Sequence, residues 1–371
     1  LSRVRTLEAD DVPAVAAMFQ RLLRKKAPPP PTSLTDYIRR LYLEAPFCGG
    51  GVHSLVHENG EGKVSGFIGV HALPMTFNGR KLRAAVCGSL MSEDRERDPL
   101  AGARLLKAFL DGPQDLSFSE TANETSARLW TRSRGTALTQ YSLDWVRVIR
   151  PVSFALGVAS RRIRIAKVFD PLASVVDNIW RRHLGPGRLS WSALPTSGTG
   201  QKAANVREID SIQFADLLDP LTSQYALRPD WKECRLDWIL ADAMDKPDLG
   251  DLVFCAVSSP TGVRIGAFAY YAKPGGIGSV LQIVAAPGQA GHVIDCLVDD
   301  AAARGLGGLR GRVQPALLEA MLGRRIAFVH AASTVVHSRD ADLLLATTDS
   351  QAFLNGIAGE QWCRLIRGRF T

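Results

Sequence analysis

Residues 86–102 read Val86-Cys87-Gly88-Ser89-Leu90-Met91-Ser92-Glu93-Asp94-Arg95-Glu96-Arg97-Asp98-Pro99-Leu100-Ala101-Gly102. The first part closes an apolar segment, Lys81–Met91, that predicts a strand. The middle is an acid- and base-rich loop holding Pro99. From Leu100 to about Asp111 the apolar spacing predicts a helix. A helix that starts just beyond a strand presents unpaired N–H groups and a partial positive charge there, which suits a pyrophosphate. Ala101 and Gly102 are small enough for a phosphate to approach the backbone. Arg95 and Arg97 can add charge-assisted contacts. Backbone N–H groups around Leu90, Met91 and Ser92 can polarise a carbonyl.

Upstream, Val4–Leu7 reads as a strand. Val12–Leu23 then carries apolar residues at helical spacing, ended by Pro28–Pro31, and Leu34–Glu44 reads as a second helix. Val52–His57 and Lys63–Phe77 read as strands, and Asn78-Gly79 signals a hairpin into the strand at Lys81. Downstream, Leu116–Ser119 is a short strand, Asn123–Arg132 a helix and Tyr141–Ile149 a final strand. The order repeats from Val206 to Val336, with weak residue identity to the first copy. Between the copies, residues 151–203 are a basic, then Gly/Ser/Pro-rich stretch that reads as a linker or insert.

The chain has 371 residues, 46% of them hydrophobic, which excludes a disordered chain. No run of about 18 apolar residues exists, so no spanning helix is expected. Net charge is +8, and residues 128–188 alone carry +9. That block reads as solvated helices or partners for the acidic second half, with phosphate, RNA or membrane binding as the alternative. The six cysteines are scattered without a CxxC pair. Free thiols and a reducing, cytoplasmic location are therefore expected. His53 and His57 are four apart in a strand, about 13 Å, so no metal site is expected. The glycines of Gly305–Gly311 follow a helix and precede a strand, the reverse of a dinucleotide fingerprint.

The element order and three segments resemble the GNAT acyltransferase superfamily. The segments are Val4–Leu23, Val86–Leu106, and Asn123-Glu124-Thr125-Ser126-Ala127-Arg128-Leu129-Trp130 ending at Arg134-Gly135. The resemblance implies an α+β fold with two GNAT-like units, each a mixed, mainly antiparallel sheet flanked by helices. They would occupy 1–150, as the CoA-binding unit, and 204–371, as a degenerate copy. It further implies an acetyl-CoA-dependent N-acyltransferase acting on a small-molecule or peptide amine. The cofactor would lie against Leu90, Met91, Ser92, Arg95, Arg97, Leu100, Ala101, Gly102, Asn123 and Trp130. The sequence departs from the family at Leu100, where the loop usually has glycine, and at Trp130, where a thiolate-protonating Tyr is common. Glu120, at the end of the short strand, is the candidate general base, and Tyr141 the substitute acid. Two other readings stand beside this one. One is a Fem-type aminoacyl or peptidyl transferase using charged tRNA; the other is a non-catalytic binding protein.

Overall fold

The computed structural model describes residues 2–27, 29–48, 51–93, 96–160, 192, 194 and 204–371. Arg95 lies outside the described residues, as does nearly all of the expected 151–203 insert beyond its first helix, Pro151–Ser160.

Each unit opens alike. A strand runs into a turn that carries a capping box, Glu8 with Asp11 in the first and Asp210 with Gln213 in the second. These side chains satisfy helix N–H groups that would otherwise lack partners. In the first unit, β1 (Arg3–Thr6) leads to helices α1 (Val12–Leu22) and α2 (Thr32–Arg39). Then follow β2 (Leu55–Glu58), β3 (Val64–Phe77) and β4 (Arg80–Ser92). Asn78 and Gly79 both take positive φ, the geometry of the tight turn expected there. Next come α3 (Ala101–Leu110), β5 (Leu116–Ala122), α4 (Glu124–Arg132), β6 (Thr136–Leu138) and β7 (Leu143–Val148). The second unit runs through β8 (Asn205–Ile209), β9 (Leu227–Pro229), β10 (Asp251–Ser258), β11 (Arg264–Ala272) and β12 (Ile277–Ala285). It finishes with β13 (Gly308–Arg312), β14 (Ile326–His330) and β15 (Ser333–Ser338).

Both sheets are mixed and mainly antiparallel, with one parallel pair each, β4 with β5 and β12 with β13. The first is ordered β1-β2-β3-β4-β5-β15-β6 and the second β14-β7-β13-β12-β11-β10-β8, with β9 joining the first sheet at β3. The last strand of each unit therefore crosses to the other. β7 lies between β13 and β14, and β15 lies between β5 and β6. The hydrogen-bonded sheets interlock across the expected division at residue 150. One continuous core joins α1, α2, the facing sides of both sheets and the C-terminal segment. Two smaller cores fill the outer faces under the other helices.

Residues beyond the helix Ala341–Thr348 are irregular yet buried, including Phe353, Leu354, Ile357, Trp362 and Cys363. This tail runs first into the second unit. There β12 and β13 pair only as far as Val280 and Gly311, then part. The tail enters the gap: Asn355 Nδ2 donates to the Val313 carbonyl (2.6 Å), and Ile357 N–H donates to Gln282 Oε1 (3.0 Å). Gly356 has φ +75°, and a Cβ there would lie 2.4 Å from the Leu281 carbonyl oxygen, so only glycine fits this turn without displacing the backbone.

Candidate functional site

In the first unit, β4 and β5 pair from Ala84/Leu116 to Val86/Phe118 and then splay. The opening is a cavity of about 330 Å³ between Cys87, Ser89 and Leu90 on β4 and Ser119 and Thr121 on β5. Phe19, Leu23 and Arg24 of the α1 end close one side, and Leu365 and Ile366 of the tail another. Asn123 and Ser126 line it at the start of α4, where the Asn123 side chain accepts the Ser126 N–H (2.9 Å). This N-cap fixes where the helix begins and turns its first N–H groups towards the cleft end of β5.

The inner wall of the cleft is a bulge. Phe67 pairs with Met91 and Gly69 with Gly88, so Ser89 and Leu90 together oppose the single Ile68. Ser89 takes φ +58°. A bulge breaks the ladder locally, and this one takes in Leu90, the first of the three residues expected to polarise a carbonyl, while Met91 is paired with Phe67 and Ser92 with Gly66. Gly69 and Gly88 permit close approaches at this point. A Cβ on Gly69 would meet the Tyr42 hydroxyl at 2.4 Å, and one on Gly88 would lie 3.0 Å from Glu360 Oε2.

Glu360, a tail residue, stands at the vertex of the splay. Its carboxylate accepts the Ser119 hydroxyl (3.0 Å), the Thr121 hydroxyl (3.0 Å) and the Glu120 N–H (2.9 Å). Glu120 reciprocates: its carboxylate accepts the N–H groups of Gly356 (3.2 Å) and Glu360 (2.9 Å). Both carboxyls are buried. Burial pushes Glu120 up to about 7 and also raises Glu360, although each accepts hydrogen bonds that pull the other way.

The residues expected at the site divide into those that meet at the cleft and those that do not. Leu90 and Asn123 line it. Ser92 ends the same strand, and a Cβ on Gly102 would lie 3.4 Å from Ser92 Oγ, so the start of α3 sits directly on the end of β4. Ala101 is buried, while Leu100 and Arg97 are exposed at the helix start. Asp98 already serves that start: its carboxylate accepts the Leu100 N–H (3.3 Å) and pairs with Arg104 (2.8 Å). Met91 turns to the opposite face and packs in the central core. Trp130 is buried under α3, edge-on to Phe109 with ring centroids 6.0 Å apart, and does not line the cleft. Glu120 faces the tail backbone, and neither it nor Glu360 lines the cleft; Ser119 and Thr121, whose hydroxyls bond Glu360, do. Tyr141 is buried and donates its hydroxyl to the Ala352 carbonyl (2.7 Å), so the side chain holds the tail. Glu360 was not among the sequence candidates. Its one signal was the stretch Phe353–Leu365, too apolar and too aromatic for an exposed terminus yet without helix or strand period. Among the described residues, no group of His, Cys, Asp and Glu side chains could hold a metal ion.

No family model matches the chain, and no curated protein matches it. Solved structures do. A conserved protein of Enterococcus faecalis V583, given as a probable N-acyltransferase, superposes with a TM-score of 0.57 at 9% identity, covering 91% of this chain and 73% of that one. A GCN5-related N-acetyltransferase of Anabaena variabilis gives 0.56 at 12% identity, covering 92% and 74%. Another, from Kribbella flavida, gives 0.55 at 13%, covering 92% and 72%. The chain has the GNAT fold. The similarity runs through both units. On the GNAT frame the splay of β4 and β5 is open, whereas the matching splay of β12 and β13 is filled by the tail.

Proposed function

We propose that this protein is a CoA-dependent N-acyltransferase whose single site is the β4–β5 cleft, with acetyl-CoA as donor and a primary amine as acceptor. The observation that carries the reading is the asymmetry of the two splays: one is open beside a bulged strand and the start of α4, and the other is occupied by residues 352–357.

The cleft residues fit an acyl-CoA. Asn123 and Ser126 offer polar groups to the amides of a pantetheine arm, and Phe19, Leu23, Leu365 and Ile366 offer apolar walls to its carbon chain. The start of α3, with Arg97 beside it, receives the pyrophosphate. The inner end is bounded by the bulge, with Tyr42 and Glu360 packed against its glycines, which favours a short acyl group.

The chemistry then follows from position. N–H groups freed by the bulge at Ser89–Leu90 face the thioester carbonyl and stabilise charge developing on its oxygen. The amine nitrogen bonds to the carbonyl carbon as the carbon–sulfur bond breaks. Glu360 takes the proton the amine loses through the Ser119 and Thr121 hydroxyls, which line the cleft and bond its carboxylate, and the departing thiolate is protonated from solvent. Glu120 fixes the tail backbone through Gly356 and Glu360, and so acts as a positioning residue for Glu360.

A thermal-shift panel tests the reading. CoA and acetyl-CoA should raise the melting temperature in a concentration-dependent way, since each binds only the native state. Longer acyl-CoAs should add nothing beyond CoA itself. Arg97→Ala should weaken CoA binding about threefold to tenfold, below the full worth of a charged hydrogen bond because the side chain is exposed. Unchanged melting at millimolar CoA would count against the proposal.

A further inference from the structure

We infer that the acceptor site is a second, aromatic-walled cavity, lined on the tail side by Ile357 and by Trp362 two residues beyond Glu360, and that it selects an amine with an uncharged, apolar or aromatic body over a polyamine or amino sugar. The inference rests on the acyltransferase reading and names the substrate class for that site.

The cavity holds about 240 Å³ and lies between β3, the loop after α2, the start of the helix Leu236–Met244, and the tail. An apolar cavity of about 150 Å³ is enough to take up a benzene ring, so this one has room for an aryl or branched alkyl group. Phe47, His71 and Trp362 form one wall, with ring centroids 5.4–5.8 Å apart. Trp238 supports Phe47 from behind, edge-on at 4.9 Å. Leu73, Ile239 and Ile357 complete the interior.

The polar atoms of the wall are held uncharged. Burial drops His71 to about 4, so its imidazole is neutral. Burial raises the thiols of Cys48 to about 11 and Cys234 to about 12, so neither is a thiolate. The charged lining residues are already engaged: Glu233 with Lys81 (3.1 Å) and Arg235 with Asp237 (2.9 Å). A polycation needs several free carboxylates, and this wall presents none inside.

Position ties the cavity to the reacting end of the cleft. Gly69 pairs with Gly88, against which Glu360 rests, and His71 is two residues further along β3, about 7 Å away. On the tail, Trp362 follows Glu360 by two residues. An amine whose body fills the cavity would extend its nitrogen past Trp362 towards Glu360, whose carboxyl lines neither this cavity nor the cleft. A wider groove sharing Ala72, Pro74 and Glu233 with the cavity opens to solvent and gives a way in.

The test is calorimetric titration of 2-phenylethylamine and of spermidine into protein saturated with CoA, after the CoA titration itself. Cys48→Phe and Cys234→Phe, on separate elements and outside the catalytic groups, are compared with wild type. The expected result is phenylethylamine binding that each variant weakens by about tenfold or more, unchanged CoA affinity as the folding control, and weaker or absent spermidine binding. Phenylethylamine that fails to bind at millimolar concentration, that binds both variants as it binds wild type, or that binds more weakly than spermidine would overturn the inference, while intact CoA binding would leave the cleft reading standing. Phenylethylamine binding that both variants abolish in a protein that does not bind CoA would uphold the cavity and sink the cleft.

Discussion

Glu360→Gln should slow acyl transfer about 10²–10⁴-fold while leaving acyl-CoA affinity within about threefold of wild type. The substitution is chosen to keep the local hydrogen bonds. The glutamine oxygen can still accept the Glu120 N–H and the Ser119 hydroxyl. Its NH₂ then meets the Thr121 hydroxyl, which can rotate to accept. What is lost is a site for the amine proton. Because burial raises Glu360, the wild-type rate should fall on the acid side of that raised value as the base becomes protonated. This limb should vanish in the variant. Glu120→Gln is the companion measurement. If Glu120 only positions the tail, its loss should disturb tail docking and acyl-CoA binding together, without removing the acid limb. The opposite pattern, a normal rate for Glu360→Gln and a lost limb for Glu120→Gln, would return the base role to Glu120.

Trp130→Ala should destabilise the fold by about 3–5 kcal/mol, the range for truncating a large buried aromatic. The side chain is fully buried, in the core formed by Leu105, Leu106, Phe109 and Val335. Val335 belongs to the strand donated by the second unit, so the cavity would form at the join between units. Trp130→Phe should cost less, and both should be read from urea midpoints at constant m. A loss of acyl transfer at unchanged stability would instead give Trp130 a role at the cleft, which its position under α3 does not support.

What could be read in the sequence was local. The Asn78-Gly79 hairpin and the helices read from Val12 and Asn123 each depend on residues within a few positions of one another. The strand–loop–helix of 86–102 was legible for the same reason. The exchange of β7 and β15 was not, because either strand satisfies the same alternation in its own sheet as in its neighbour's. The pairing is decided by packing some 190 residues apart, as in the Thr334 N–H bond to Ser142 Oγ. The tail was illegible because irregular backbone has no period, and its hydrogen bonds go to Gln282, Val313 and Glu120. With the tail went Glu360, and with Glu360 the reason Glu120 is buried. Glu120 could be recognised as a carboxylate at the right strand end, but its partners came from 236 and 240 residues away.

The central claim is that the molecule has one acyl-CoA site, in the open splay, and that its own C-terminus fills the other. Calorimetric titration of CoA into wild type and Ser126→Trp tests it most directly, because Ser126 lines the open cleft and no part of the filled one. The account predicts one CoA per chain for wild type and affinity weakened by more than about tenfold in the variant, with the melting temperature of the free protein retained. Two CoA per chain, or a Ser126→Trp protein that binds CoA as wild type does, would contradict it.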